Sequence, residues 1–490
     1  MKKIKEKKKF QLPTAFTILF FIITFFVILS WILKWSGVSY EVNKESYNVQ
    51  ALGILDIFYS IIQGFLSKAE IIIFILVLGG FINVVLETKA LEAFTQSVSK
   101  KLGNKAIWLI PILMLFFSFC GSTYGMAEES LGFYLIIIPL ILSSGYDKFT
   151  GLLIVLFGAG AGVISSTVNP FVIAAATDAT GGKISSGEGM AWRWISWIFI
   201  TLFAILYVMW YAIRTKKNPN KSVTFSTLQE DKVFFLGESV EEIKFNKRRI
   251  ATLIVFLITF IIMVLYLVAW DSILGGNKFE SAGKWMNKNI PYLTALIPGF
   301  GMGYLPEVAL FFFVSSLIIG AINWKGEKNY VEQIIVGTKD MLGVCLVIAT
   351  AAGVGVVMKK SGIEILFVNG LSSVMKNMNK TLFILISFIL FLPLSFLIPS
   401  TSGFAAAIFP IWGPLAITIG AGSGSVLAFS FASGVINLFT PTSGVVMGAL
   451  GIAKIDYASF LKEVWKFILA ITLICCLLLI IGSFMSSNIF

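Results

Sequence analysis

The chain contains no histidine among its 490 residues. That removes the commonest metal ligand and the side chain that most readily changes charge near neutral pH. Any proton coupling therefore falls to carboxylates. Cysteine is scarce too: Cys120, Cys345, Cys475 and Cys476 sit in apolar or polar-turn segments with no ligand spacing. This pattern excludes a disulfide framework and a metal site. Without an Asp/Glu/His cluster or paired cysteines, an enzyme is not expected. Gly158-Ala159-Gly160-Ala161-Gly162 and Gly353-Val354-Gly355 lack the strand and lysine of a phosphate-binding loop, so they read as packing faces and no ATP-binding motif is present.

Charge is sparse as well. Only 13% of residues are charged while 57% are hydrophobic, and mean hydropathy is +0.89. Soluble domains sit near about half apolar and about a quarter charged. What fills the chain instead is long apolar runs, such as 14–33, 71–86, 250–270 and 468–481. These suit helices crossing a hydrocarbon core of roughly 30 Å. The fold class is an all-α polytopic membrane protein, with the lipid bilayer as its solvent. Six lysines precede residues 14–33, yet that run is too long for a signal-peptide core and no small-x-small site follows. It reads as a first transmembrane helix retained in the mature protein. The net charge of +12 does not imply nucleic acid, because the basic residues gather at the N-terminus and in 214–249, where a cytoplasmic bias explains them.

Orientation follows from the same bias. The N-terminus is cytoplasmic, helix 1 (14–34) leads outward, 48–68 forms an interfacial amphipathic helix, and helix 2 (69–88) returns. A hairpin over 107–142 enters and leaves on the cytoplasmic side. A helix from about 151 is interrupted near Pro170, and 192–213 closes the first half. After the basic cytoplasmic linker 214–249, the second half (250–490) has one extra span, an external loop over 271–304, and spans at 308–322 and 331–358. A hairpin (381–419), a helix broken near Pro441 and a last span (460–484) complete it. The three divisions are thus 1–213, 214–249 and 250–490.

Four polar clusters interrupt the apolar runs. Cys120-Gly121-Ser122-Thr123-Tyr124-Gly125-Met126-Ala127-Glu128-Glu129 lies between two strongly apolar stretches. Non-helical backbone at membrane depth is tolerated only where it lines a cavity, so this cluster is expected at the tip of a re-entrant hairpin. Ser400-Thr401-Ser402-Gly403 is its counterpart in the second half. Ser165-Ser166-Thr167-Val168-Asn169-Pro170 and Asn437-Leu438-Phe439-Thr440-Pro441-Thr442-Ser443-Gly444 each fall where proline breaks a helix.

The clusters recur in order. Gly162-Val163-Ile164-Ser165 matches Gly434-Val435-Ile436-Asn437 at an offset of 272, and Ser122-Thr123-Tyr124-Gly125 matches Ser400-Thr401-Ser402-Gly403 at 278. One extra span between them turns the second unit upside down. An inverted pair of hairpin-plus-broken-helix units predicts a secondary transporter with its site at the repeat interface. Small residues in membrane helices often serve only close packing, but four clusters in matching order, each beside a helix break, exceed that need.

The expected substrate-binding residues are Ser122, Thr123, Gly125, Glu128, Glu129, Ser166, Thr167, Asn169, Ser400, Thr401, Ser402, Gly403, Asn437, Thr440, Thr442 and Ser443. Half-helix ends offer free N–H groups to a carboxylate and free carbonyls to a cation. Glu128 and Glu129 have no counterpart in the second hairpin, where Ala405–Ala407 follow the turn. Two acids inside the membrane are a functional signal. With no basic residue in any cluster, they favour a substrate carrying positive charge, or a coupling cation, over a dianion.

These segments, with Phe10-Gln11-Leu12-Pro13-Thr14-Ala15-Phe16-Thr17 and Ile107-Trp108-Leu109-Ile110-Pro111, resemble the YfcC family of the anaerobic C4-dicarboxylate carrier group, which includes arginine/ornithine (ArcD-type) exchangers. The resemblance covers nearly the whole chain; Cys120 departs from the small residue or glycine expected there. It implies an ion-transporter-superfamily fold with paired hairpins and discontinuous helices, a homodimer, and an elevator-like movement. It also implies transport of basic amino acids or related carboxylates. The expectation is therefore a plasma-membrane antiporter for a small molecule such as arginine exchanged for ornithine, with no resident cofactor. The alternative is a symporter of C4-dicarboxylates or other small carboxylates, coupled to Na+ or H+.

Overall fold

The first apolar run forms α1 (Ala15–Trp35). A short antiparallel ribbon follows, β1 (Ser39–Val42) and β2 (Glu45–Asn48), with Tyr40 opposite Tyr47 and their rings stacked at 5.9 Å. This ribbon departs from the expected all-α chain and delays the next helix, so α2 spans Ile54–Ser67 instead of starting at 48. The N–H of Gly53 donates to the Asp56 carboxylate at 2.6 Å and fixes the start of α2. The structure, a computed structural model, describes residues 15–490 apart from 43–44, 95–96, 98–102, 124, 237–244, 268–275, 291, 293–296, 301–302, 304, 375–377, 399 and 487–488. The lysines from Lys2 to Lys9, Tyr124, Pro399 and part of the expected external loop lie outside the described residues.

Helix α3 (Ala69–Glu87) starts directly after Lys68, whose backbone breaks the helical path at φ −117°, ψ 19°. The first hairpin is α4 (Leu109–Thr123), a turn, a 3-10 segment Glu128–Phe133 and α5 (Tyr134–Ser143). Its helical arm reaches Thr123, so the tip is narrower than the expected 120–129. Asp147 caps α6 (Lys148–Ser165) by accepting from the Thr150 N–H at 2.9 Å. After the break, a π turn (Pro170–Ala174) leads into Ala175–Asp178, and then comes α7 (Met190–Lys217).

The basic linker is partly folded: α7 extends into it, α8 (Leu228–Leu236) lies within it, and α9 (Lys247–Leu267) begins before its end. Lys148 holds α8 in place, with Nζ 2.6 Å from Asp231 Oδ1 and both side chains buried, at 2% and 8% exposure. The same Nζ donates to the Lys454 carbonyl at 2.9 Å. Asp147 accepts from the Tyr211 hydroxyl at 2.9 Å and from the Ser222 hydroxyl. The buried Lys148–Asp231 pair is tolerable only with extra hydrogen bonds, here to the Lys454 carbonyl and from the Thr227 hydroxyl to Asp231 at 2.8 Å.

The second half contains α10 (Lys278–Asn289), α11 (Leu305–Ile322), the long α12 (Glu327–Ser361) and α13 (Ile363–Val374). Gly362, at φ +79°, ends α12 in the left-handed conformation that suits a helix terminus. The second hairpin is α14 (Lys380–Leu397) with α15 (Thr401–Thr418); the second broken helix is α16 (Gly422–Asn437) with α17 (Gly444–Ala453). Helix α18 (Tyr457–Ser483) is the last span. Ten helices among the described residues are long and apolar enough to cross a membrane.

The helices gather into two units. In the first, α1, α2 and α3 lie along α12, α11 lies on α3, and α9 on α11. Gly79 and Gly337 let α3 and α12 touch backbone to backbone: a Cβ on either would stand 2.5 or 2.1 Å from the other's carbonyl oxygen. Close approach of small residues is how helices associate where burial of apolar surface offers no drive. Helix α2 buries Ile57, Ser60 and Gly64 and leaves Leu55, Phe58 and Ile62 exposed. Its apolar stripe faces away from the protein, as a lipid-contacting surface does.

In the second unit, α4 and α5 flank α6, with α7 closing it, while α14 and α15 flank α16, with α18 closing it. The same order of contacts thus occurs in both halves. The two broken helices α6 and α16 cross at the centre, where the Ser430 hydroxyl donates to the Ile164 carbonyl at 2.8 Å. Helix α6 is 89% buried along its apolar window, against 28% for α1. The more apolar helix is the less buried one, and the buried one carries the small residues of 158–162.

Candidate functional site

The first helix break is built from the polar residues of two clusters. Helix α4 lies so close to α6 that a Cβ on Gly162 would stand 2.0 Å from the Ser118 carbonyl oxygen. That proximity lets the N–H of Thr167 donate to the Ser122 carbonyl at 2.9 Å. The Ser122 hydroxyl donates to Thr167 Oγ1 at 3.1 Å, and the Thr167 hydroxyl donates to the Ser122 carbonyl at 3.2 Å. Ser166, a non-glycine residue at φ +25°, bonds through its hydroxyl to the Val163 carbonyl at 2.5 Å. Asn169 Nδ2 donates to Ser166 Oγ at 3.2 Å, and Asn169 Oδ1 accepts from the Phe171 N–H at 2.9 Å. Asn169 thereby caps the segment that Pro170 opens without a donor of its own.

The second break uses equivalent chemistry. Ser400 caps α15 by accepting from the Gly403 N–H at 3.2 Å, and Ser443 caps α17 by accepting from the Val446 N–H at 3.4 Å. Thr401 Oγ1 and Ser433 Oγ lie 3.1 Å apart, and Asn437 Nδ2 donates to both at 3.4 Å. Thr440 and Thr442 share a hydroxyl contact of 2.7 Å beside Pro441.

Between these breaks lies a cavity of about 390 Å³, within the usual range of small-molecule sites. Of the residues nominated from sequence, Gly125, Glu128, Glu129, Asn169, Ser400, Thr401, Ser402, Asn437, Thr442 and Ser443 line it. Ser122, Thr123, Ser166, Thr167, Gly403 and Thr440 are not among its walls. Ser122 and Thr167 are buried and bonded to each other, and the Thr123 hydroxyl turns back to the Phe119 carbonyl at 2.7 Å. These hydroxyls hold the break together; the cavity receives the next layer of side chains.

Glu128 and Glu129 enter at the start of the 3-10 segment, and Glu129 Oε2 accepts from the Ala127 N–H at 3.0 Å. The first unit adds residues that sequence inspection missed: Lys68 and Glu70, with Ile71, Leu305, Ile348 and Ala352. Charge near the four clusters therefore undercounts the site. Lys68-Ala69-Glu70 was legible only as a charged interruption between two apolar runs; its nearness to residues more than 50 positions away was not.

Ten apolar helices, with a cavity walled by interrupted helices and carrying polar and charged side chains, are the make-up of a multi-pass membrane transporter. The chain belongs to the DcuC family, described as C4-dicarboxylate anaerobic carrier, whose model matches residues 12–484. It is 26% identical to an uncharacterized protein of Haemophilus influenzae, covering 97% of this chain and 98% of that one. It is also 26% identical to the putative basic amino acid antiporter YfcC of Escherichia coli, over 81% of this chain and 74% of that protein. The YfcC-like resemblance read from the motifs therefore stands. Among solved structures, the YdaH transporter of Alcanivorax borkumensis superposes with a TM-score of 0.46 at 15% identity, covering 97% of this chain and 100% of that one. MtrF of Neisseria gonorrhoeae gives 0.43 at 14%, covering 96% of this chain and 94% of that one.

Proposed function

We propose that this protein is a secondary antiporter of the plasma membrane that exchanges basic amino acids, such as arginine for ornithine. The observation that carries this reading is the charge of the cavity wall: among the described residues, Glu70, Glu128 and Glu129 stand against one cation, Lys68. A guanidinium or ammonium group on the solute meets Glu128 or Glu129. Its α-amino-acid end meets the hydroxyls and N–H groups around Ser400–Ser402 and Ser443. The name carried by the E. coli relative points the same way. In this reading the N-terminus is cytoplasmic and the two hairpins re-enter the membrane. The unit holding the breaks slides against the α12 unit, as in an elevator, and the protein works as a homodimer.

Proteoliposomes test it directly. Labelled arginine uptake is expected to require internal ornithine and to fall sharply in Glu128→Gln or Glu129→Gln. Uptake that ignores internal ornithine but follows a Na+ or H+ gradient rejects exchange. A second reading, symport of C4-dicarboxylates, is favoured by the family description and by the presence of Lys68. Competition of arginine uptake by succinate separates the two.

A further inference from the structure

Lys68 reaches the cavity from the unit that holds none of the four polar clusters. It occupies the single-residue joint between α2 and α3, where its N–H donates to the Gly64 carbonyl at 3.1 Å and its carbonyl accepts from Ile72 at 3.0 Å. The joint is fixed from both sides. A Cβ on Gly64 would stand 2.0 Å from the Ala349 carbonyl oxygen of α12, and Gly79 and Gly337 lock α3 to the same helix. One turn beyond Lys68, Ile71 Cγ2 lies 4.0 Å from the position a Cβ would take on Gly444, the first residue of α17. The base of α3 thus stands against the second helix break.

The Lys68 ammonium makes no ion pair among the described residues, and it is the single basic residue among the described residues that line the cavity. Glu70, which shares the cavity wall, makes no ion pair with it. A cavity with three carboxylates alone would accept any amine of suitable size. An unpaired ammonium at one wall changes the selection: it rewards a solute that brings its own carboxylate and penalises one that is cationic at both ends.

We propose that Lys68 binds the carboxylate of the transported solute and so makes the site select carboxylate-bearing compounds over the corresponding amines. The proposal rests on the transporter reading above. Because Lys68 belongs to one helical unit and Glu128 and Glu129 to the other, the two ends of a bound amino acid bridge the units. The site is complete only when they meet.

The test uses the purified full chain. Binding is read as ligand-induced thermal stabilisation, and uptake is measured in ornithine-loaded proteoliposomes, with arginine and its decarboxylated form agmatine as probes. Lys68→Met is expected to weaken arginine about tenfold to a hundredfold, the worth of one charge-assisted hydrogen bond, while agmatine binding holds or improves. Lys68→Arg should keep arginine within a few-fold of the parent protein. Equal losses for arginine and agmatine would overturn the proposal, since they indicate a structural role, and so would an unchanged arginine affinity. If the parent protein carries succinate and not arginine, the basic amino acid reading fails on its own. A Lys68→Met loss of succinate, restored in Lys68→Arg, then supports carboxylate binding, and indifference to Lys68→Met overturns it.

Discussion

At the tip of the first hairpin, Gly125 stands directly against Asn169 of the first helix break. Gly125 takes φ +84°, and a Cβ on it would lie 2.5 Å from Asn169 Oδ1. Asn169 cannot retreat without cost, because Oδ1 already accepts from the Phe171 N–H at 2.9 Å. The hairpin tip and the broken helix therefore fit together through the absence of one side chain. Gly125→Ala adds a left-handed penalty of about 1–2 kcal/mol to that collision. Arginine counterflow is expected to fall at least about tenfold in protein that still elutes as a single species. Full activity in that variant would show that the tip and the break are not coupled.

Ser122 and Asn437 look alike in sequence, as polar residues of two interruptions, but the structure gives them different surroundings. Ser122 is fully buried and bonded to Thr167, while Asn437 lines the cavity. Ser122→Ala should lower thermal stability, by about 1–3 kcal/mol for the stranded partner, and leave the substrate KM alone. Asn437→Ala should raise KM with a smaller stability loss. Melting curves in detergent, paired with uptake kinetics, separate the two; the reverse pattern would place Ser122 at the substrate.

The Lys148–Asp231 pair ties α8 to the start of α6, at 2.6 Å and almost without solvent. Removing one partner strands a buried charge and is expected to cost about 3–5 kcal/mol. Asp231→Ala should therefore melt well below the parent protein. The double change Lys148→Met with Asp231→Leu should recover much of that loss, because two apolar groups leave no charge behind. A double variant as unstable as the single one would mean that the Lys148 bond to the Lys454 carbonyl dominates.

Lys454 connects the two units more loosely. Its Nζ lies 3.6 Å from Asp340 Oδ2 on α12, with both side chains 45% exposed. An exposed pair of this kind contributes about 0–1 kcal/mol and is screened by salt. Asp340→Asn should shift the melting temperature little and lose even that difference at high ionic strength. A large, salt-independent drop would show that the contact is shielded in the membrane-embedded protein.

Much of the frame was legible in the sequence. The expected span 331–358 lies inside α12 (Glu327–Ser361), and the expected 460–484 matches α18 (Tyr457–Ser483) closely. Pro170 and Pro441 fall in both helix breaks, beside the polar residues that hold them, whereas Pro139, Pro393, Pro410 and Pro414 stay inside helices. Less legible were the β-ribbon, which depends on pairing between Ser39–Val42 and Glu45–Asn48, and the folding of the linker through Lys148 and Asp231. Those depend on partners whose positions local pattern does not carry.

The sequence by itself determined the class of protein: an apolar, histidine-free chain of membrane-length helices with polar residues gathered at four interruptions. Local chemistry suffices for that, because helix length and proline act on neighbouring residues. Only the tertiary structure decided which polar groups face the cavity. Ser122 and Thr167 satisfy each other across two helices, and Lys68 arrives from a different unit to stand in the wall with Glu128 and Glu129. Membrane burial obliges every polar group to find a partner or a cavity, and which of the two it finds depends on what the fold places beside it.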